Sequence, residues 1–196
     1  MFDFLKQHDQ IMVTGPHRTG TTIAAKMIAH DLEYEYYTEE KVWGLAPPED
    51  DNAHSTTQNL IAQNHTLKKG AVYQAPLCAE ICHKLEDYVA VVFMVRDVND
   101  ILASEKRIAW SDGPGTGHEI NELNKYFKLE EVRQKWDKHT WDKRPVAQLK
   151  YEFWEKLQKP KITFAYELEY ESLKTHEMWI QKKDRATFHS RQTETK

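Results

Sequence analysis

The chain has 196 residues, of which 40% are hydrophobic and 30% charged, and a formal net charge of -4. That length predicts a single domain, residues 1–196, with enough apolar content for a core. The slight acidity gives no global pull toward nucleic acid, and no apolar run approaches the length of a membrane span.

The N-terminus, MFDFLKQHDQ, carries no signal-peptide pattern, and with the cysteine usage below this gives a cytoplasmic expectation. Ile11-Met12-Val13 is a short apolar run, long enough for a buried strand. A tight polar loop follows from Gly15 to Gly20, and Thr21-Thr22 then opens an Ala-rich helical pattern through Ala24, Ala25, Met27, Ile28 and Ala29. Strand, Gly-bounded loop and helix N-terminus together form an anion cradle, because the unpaired N–H groups of the first turn and the helix dipole both favour negative charge. Gly15 and Gly20 permit the turn and a close backbone approach. The frame matches a Walker A loop, G-x-x-x-x-G-K-[ST], except that Thr21 stands where the lysine belongs. The competing reading is a chance match in an ordinary turn.

With Arg18-Thr19-Gly20-Thr21-Thr22 the loop resembles the phosphosulfate loop of sulfotransferases, which use 3′-phosphoadenosine-5′-phosphosulfate (PAPS). The change from Walker A suits that chemistry: a transferring sulfuryl group carries less negative charge than a phosphoryl group, so a Mg²⁺ clamp is less needed. The resemblance gives Gly15, Arg18, Thr19, Gly20, Thr21 and Thr22 to the donor, with Arg18 stabilising the leaving phosphate through its fork of donors. The first strand starts too early for an anchor and stem, which speaks against a membrane-bound Golgi-type member.

Tyr34 to Tyr37 reads as a second strand. Glu39 and Glu40 follow, where sulfotransferases often carry an acceptor-side Glu; Glu40 is the expected base, with Glu39 and His54 behind it, and a solvated acidic turn is the alternative. Leu45 to Ser55 is a loop by its Pro, Asp and Asn content, and Ser55 is placed to cap a helix from Thr56 to about Leu67. Asn64-His65-Thr66 is formally a glycosylation sequon, of little meaning without a secretion signal. Ala71 to Ala75 is a short strand, and Pro76 opens an expected helix, Leu77 to Leu85. Cys78 and Cys82 fall i, i+4 on it and read as buried small side chains, with no further ligands at metal-site spacing. The family's usual catalytic His is missing from Tyr73-Gln74-Ala75-Pro76. His83 lies two turns farther on and reads as structural.

Val89 to Val95 is the most apolar stretch, a buried and central parallel strand. It runs into Arg96-Asp97-Val98-Asn99-Asp100, and Ser104 follows eight residues after Arg96. This is the second point of resemblance, to the R-[DN]-P-x-D-x-x-x-S segment whose Arg and Ser hold the 3′-phosphate of PAPS. Val98 replaces the usual Pro. Arg96 is expected at the carboxyl end of a strand, where open α/β sheets bind ligands. Asp97 reads as a helix N-cap or, in a rival reading, as a Walker B aspartate; the missing Walker A lysine favours the sulfotransferase resemblance over that rival.

Trp110 to Gly117 holds three of the seven glycines and reads as a loop, either a lid or a plain connector. Helical spacing runs over 119–138 and again over 144–159. Basic residues cluster over 125–161 with acids interleaved, which fits a solvated face or an anionic-acceptor surface. Ile162 to Leu168 is the last expected strand. Tyr170-Glu171-Ser172-Leu173 resembles the family's Tyr-Glu-Asp-Leu segment, whose Tyr lies near the adenine; Tyr166-Glu167-Leu168 is a competing register. The tail from Lys182 is basic, and Arg185 or Arg191 could close over a 3′-phosphate; a frayed terminus is the alternative.

The resemblance implies an α/β fold, a three-layer α/β/α arrangement around a mostly parallel sheet of about five strands, which agrees with the alternating pattern. It implies sulfuryl transfer from PAPS to a hydroxyl or amine of a small-molecule or glycan acceptor, with no metal. A P-loop kinase or NTPase with an atypical loop, and a non-catalytic nucleotide-binding module, remain the other readings.

Overall fold

A computed structural model describes residues 1–39, 41–42, 67–107, 123, 126–128 and 145–179. Glu40, His54, the expected helix from Thr56 up to, but not including, its last residue Leu67, the sequon, the loop 110–117, most of the helical pattern 119–138 and the tail from Lys182 lie outside the described residues.

Five strands form one sheet: β1 (Gln10–Thr14), β2 (Glu35–Tyr37), β3 (Ala71–Gln74), β4 (Ala90–Val95) and β5 (Ala165–Glu169). Their order is β2-β3-β1-β4-β5, and every pairing is parallel. Parallel neighbours need crossovers, so helices cover both faces and the inner strands must be apolar on both sides. The sequence obeys this. All five residues of β1 are buried, as are the first five of β4. The edge strands β2 and β5 are only partly buried.

Side-chain alternation sorts the core into two layers. Ile11, Val13, Val72, Ala90, Val92 and Met94 face helix α1 (Thr21–Leu32) through Ala24, Ala25, Met27 and Ile28. Met12, Tyr73, Val91 and Phe93 face the opposite way. There Phe93 stacks on Trp154 with ring centroids 4.3 Å apart. Trp154 follows helix α3 (Val146–Phe153), and α2 (Val98–Arg107) lies against α3. This is the expected three-layer α/β/α fold.

Helix α1 ends without the usual glycine. Glu33 takes the left-handed conformation (φ 57°), the Tyr34 amide bonds the Ala29 carbonyl at 2.9 Å, and the Glu33 amide bonds that of His30 at 3.2 Å. That is a Schellman closure with a non-glycine residue at the strained position.

Two expected elements differ. The helix predicted over Leu77 to Leu85 is instead a pair of 3₁₀ turns, Pro76–Glu80 and Cys82–Lys84. An α-helix would give the Ala79 carbonyl to the His83 amide, but Gln158 Nε2 takes it at 2.6 Å. The same Gln158 accepts from Cys82 Sγ at 3.0 Å and contacts His83 Nδ1 at 3.1 Å. His83 is therefore tied into packing, and both cysteines are buried free thiols whose pKa burial pushes up. The last strand begins at Ala165 rather than Ile162, because α3 continues through a π turn, Trp154–Gln158, and a 3₁₀ turn, Lys159–Lys161. The Ile162 amide still closes onto the Lys159 carbonyl at 3.3 Å, so that segment belongs to the turn.

Candidate functional site

From β1 the chain turns toward β2 on one side of the sheet, while from β4 it turns toward β5 on the other. The carboxyl ends of β1 and β4 are neighbours, with Thr14 opposite Phe93. They form the topological switch point, where open α/β sheets present a crevice. The two segments singled out in the sequence leave these two strand ends.

The loop after β1 is built by special backbone. Gly15 has φ +137°, and a Cβ there would sit 2.9 Å from the Met94 carbonyl oxygen. Arg18 is left-handed at φ 67°, an uncommon state for a side-chain-bearing residue of the sort that gathers at functional loops. Gly20 has φ +91° and stands just before α1. Thr19 is fully buried; its hydroxyl and its amide both bond the Pro16 carbonyl, at 2.7 and 3.3 Å. Thr14 anchors the start through a 2.8 Å bond to the Ala75 carbonyl. No side chain caps the helix, so its first N–H groups face the loop with their dipole. Thr21, in the Walker lysine position, is buried, and Thr22 is exposed.

The segment after β4 comes to meet this loop. Arg96 Nη1 donates to the Arg18 carbonyl at 2.9 Å. Arg18 Nε in turn donates to Ser104 Oγ at 3.1 Å, across a sequence separation of 86 residues. Ser104 is buried on the second turn of α2, where helical spacing brings it back over the strand end. Asp97 Oδ1 accepts the Asn99 and Asp100 amides at 2.8 and 3.2 Å, so this carboxylate is the N-cap of α2.

Tyr170 closes the far wall. The Arg96 guanidinium lies 4.2 Å above its ring, and a Cβ on Gly20 would fall 2.5 Å from its Cδ2. The ring therefore rests on the loop glycine and under the arginine, a cation–π contact worth about 1–2 kcal/mol when desolvated. Tyr166, the competing register, is elsewhere: its hydroxyl contacts His8 Nε2 at 2.7 Å, near the amino end of β1. Trp179 packs edge-on to Tyr170 with centroids 5.6 Å apart.

Three residues here were not singled out in the sequence. Tyr151 on α3 holds Arg96 by both backbone groups: its hydroxyl accepts the Arg96 amide at 2.9 Å and donates to the Arg96 carbonyl at 3.0 Å. Burial pushes its own pKa to about 12, so it stays a neutral donor. Arg107, one turn past Ser104, extends Nη2 to within 3.4 Å of Ser104 Oγ. Glu105 has its pKa raised by burial, against the charges of His17, Lys150 and Arg18, so its carboxyl senses the loop. The i, i+3 spacing from Ser104 to Arg107 was a signal available in the sequence; Tyr151 and Glu105 gave none.

Glu39 is described, just past β2, and its charge reaches Cys78. Glu40 and His54, the other two expected bases, lie outside the described residues.

Among the described residues, His30, Asp31 and His176 offer ligand atoms within 4.8 Å of one another. They sit at the other end of α1. The Met178 amide donates to His176 Nδ1 at 3.1 Å, which leaves the ring proton on Nε2, directed at Asp31 Oδ1 2.9 Å away. That nitrogen is a committed donor rather than a lone pair for a metal.

No helix among the described residues is long and apolar enough to cross a membrane. No protein-family model and no curated protein sequence matches the chain. Among solved structures it is similar to shikimate kinase from Acinetobacter baumannii in complex with shikimate. That match has a TM-score of 0.44 and 14% identity, covering 81% of this chain and 97% of that one. It is also similar to an uncharacterized protein from Eubacterium ventriosum, with a TM-score of 0.36 and 13% identity over 95% and 99% of the two chains. Both likenesses are too distant to bear on function.

Proposed function

We propose that the chain is a PAPS-dependent sulfotransferase. The observation that carries this reading is the pairing, at one switch point, of a phosphate-type loop with a second cationic seat made by Arg96 and Ser104. A nucleotide with charged groups at both its 5′ and 3′ positions needs two such seats. A nucleoside triphosphate, whose charge lies on one side of the sugar, needs one.

The residues fit the donor. Arg96 Nε is buried and has no hydrogen-bond partner among the described residues, a cost that an acceptor oxygen would remove. Gly15 and Gly20 keep the cradle free of side-chain atoms where Cβ groups would collide. The loop amides and Thr22 would hold the 5′ phosphosulfate. Arg18, whose two terminal nitrogens have no described partner, would meet charge developing on the leaving phosphate. Arg96 and Ser104 would hold the 3′-phosphate, and the Tyr170 ring would border the base. The donor supplies an activated sulfuryl group: its S–O bond to the 5′-phosphate breaks, a bond to the acceptor oxygen or nitrogen forms, and adenosine 3′,5′-bisphosphate leaves. A base must take the acceptor proton, and Glu40 is the residue proposed for it. Asp97 Oδ1 caps α2, which engages the carboxylate that a Walker B reading would give to a nucleotide-bound Mg²⁺.

The test is transfer itself. PAPS carrying a labelled sulfuryl group is offered with a panel of hydroxyl and amine acceptors, beside ATP labelled in its γ-phosphate. Labelled acceptor from PAPS alone, lost in Arg18→Ala, is the expected outcome. Transfer from ATP would replace this reading with a kinase. Release from neither donor, with bisphosphate binding intact, would leave a non-catalytic nucleotide-binding module.

A further inference from the structure

Ser104 is loaded in an unusual way for a buried hydroxyl. A serine oxygen has two lone pairs and one proton. Arg18 Nε donates to it at 3.1 Å and Arg107 Nη2 at 3.4 Å, so guanidinium donors meet both lone pairs. Its proton finds no acceptor among the described residues, although a helical serine could have returned it to the preceding turn. Arg96 is joined to the same group through the Arg18 carbonyl, 2.9 Å from its Nη1.

Three guanidiniums thus converge through neutral acceptors only. None of them forms a salt bridge to a carboxylate among the described residues, and the Glu105 carboxyl, which feels the charge of Arg18, makes no described hydrogen bond to it. Arg18 and Arg96 are half-buried and Arg107 is exposed, whereas the fully buried Lys150 has its Nζ 2.7 Å from Glu80 Oε1. Like charges gathered with no salt-bridged carboxylate among the described residues repel, and an anion that completes the arrangement relieves that repulsion. With the outer nitrogens of Arg18 turned to the 5′ side in the donor reading, the donors available to that anion are the Ser104 hydroxyl, the orphaned Arg96 Nε and the outer nitrogens of Arg107. They suit a group with three oxygens and two charges.

We infer that Arg107 is a specificity-determining residue that, with Ser104 and Arg96, selects a phosphate monoester dianion. This rests on the donor reading above, in which the monoester is the 3′-phosphate. Arg107 stands at the carboxyl end of α2, where a cation also favours the helix dipole. That role is indifferent to which nucleotide is bound, so the two roles separate in a binding ratio.

The experiment is calorimetric titration of the full chain with adenosine 3′,5′-bisphosphate, adenosine 5′-monophosphate and inorganic phosphate, for wild type, Arg107→Gln and Arg107→Lys. Arg107→Gln is expected to weaken the bisphosphate by about tenfold, the size of one lost charge-assisted contact, and to leave the 5′-monophosphate within about twofold. Arg107→Lys, which keeps the charge but not the fork, should fall between. Inorganic phosphate bound as tightly as the bisphosphate would mean that the seat reads free phosphate, and would overturn the nucleotide role. An equal loss for both nucleotides, or a lower melting temperature with an unchanged ratio, would reduce Arg107 to a helix-end charge. The two readings fail differently. A wild type with no preference for the bisphosphate over the 5′-monophosphate sinks the donor site itself. A wild type with that preference, unchanged in Arg107→Gln, sinks only the role of Arg107.

Discussion

Helix α1 ends on two polar clusters of opposite character. At its carboxyl end Asp31 accepts from the Met1 amine at 3.0 Å and from His176 at 2.9 Å, with His30 at 3.3 Å. Burial works to raise the Asp31 pKa, but those hydrogen bonds together hold it down to about 2. Donors and acceptors there close on one another. At the amino end Arg18, Arg96 and Arg107 meet a carbonyl, a hydroxyl and an aromatic ring, and the buried Arg96 Nε is left without a partner among the described residues. The same 3₁₀ segment, Tyr170–Thr175, leads from one cluster to the other, with Tyr170 in the first and His176 just beyond in the second. A cluster that satisfies itself contributes stability. A cluster that does not leaves donors for a ligand, and this contrast, rather than any single motif, is what supports the proposed site.

The largest expected effect comes from breaking the open cluster at its centre. Arg96→Ala should cost about 2–3 kcal/mol of adenosine 3′,5′-bisphosphate binding, or roughly 30- to 150-fold, while sparing whatever affinity the loop has for ATP. Equal losses for both nucleotides, read by titration, would remove the selector role from Arg96. Next is the wall. Gly20→Ala places a methyl 2.5 Å from the Tyr170 ring on a backbone at φ +91°, and should destabilise folding by about 1–3 kcal/mol. Adding Tyr170→Ala relieves the collision but not the backbone strain, so denaturant midpoints of the single and double variants should show partial recovery. Full additivity would mean that the ring does not rest on the loop.

The closed cluster gives the complementary prediction. Asp31→Asn should lower stability at neutral pH by about 1 kcal/mol, discounted for the partial exposure of the group, and leave nucleotide affinity alone. The sign follows from a folded-state pKa below the unfolded one. The wild-type contribution is complete above about pH 4 and is lost as pH falls toward 2, so wild type and Asp31→Asn should converge in acid. Curves that stay parallel down to pH 2 would show that the carboxylate is not the linked group. The smallest effect belongs to Tyr151→Phe. Losing the hydroxyl that holds both backbone groups of Arg96 should cost about 1 kcal/mol of bisphosphate affinity, with the 5′-monophosphate unaffected.

The strands were legible because parallel β1 and β4 demand uninterrupted apolar runs, and Ile11–Val13 and Val89–Val95 supply them. The loop was legible because only a few residue types, at fixed spacing, make that turn before a helix. Arg96 and Ser104 were legible as a spacing, yet their contact with Arg18 depends on two strands that the sequence separates by β2 and β3. The helix expected over Leu77 to Leu85 failed for a tertiary reason: Gln158, far along the chain, takes the Ala79 carbonyl. Tyr151 was invisible for the same reason, since nothing near residue 151 announces that its hydroxyl reaches a strand end. Arg107 left a local trace, one helical turn from Ser104, that reads as an ordinary helix terminus until Arg18 is placed beside it.

The proposed function stands most directly on two anion seats at one switch point. The measurement that tests it is calorimetric titration of the wild-type chain with adenosine 3′,5′-bisphosphate, beside ATP with Mg²⁺. Tight, metal-independent binding of the bisphosphate with weak binding of ATP is the predicted result. A preference for ATP with Mg²⁺ would contradict it, and would mean that the loop after β1 serves a triphosphate while Arg96 and Ser104 serve no nucleotide at all.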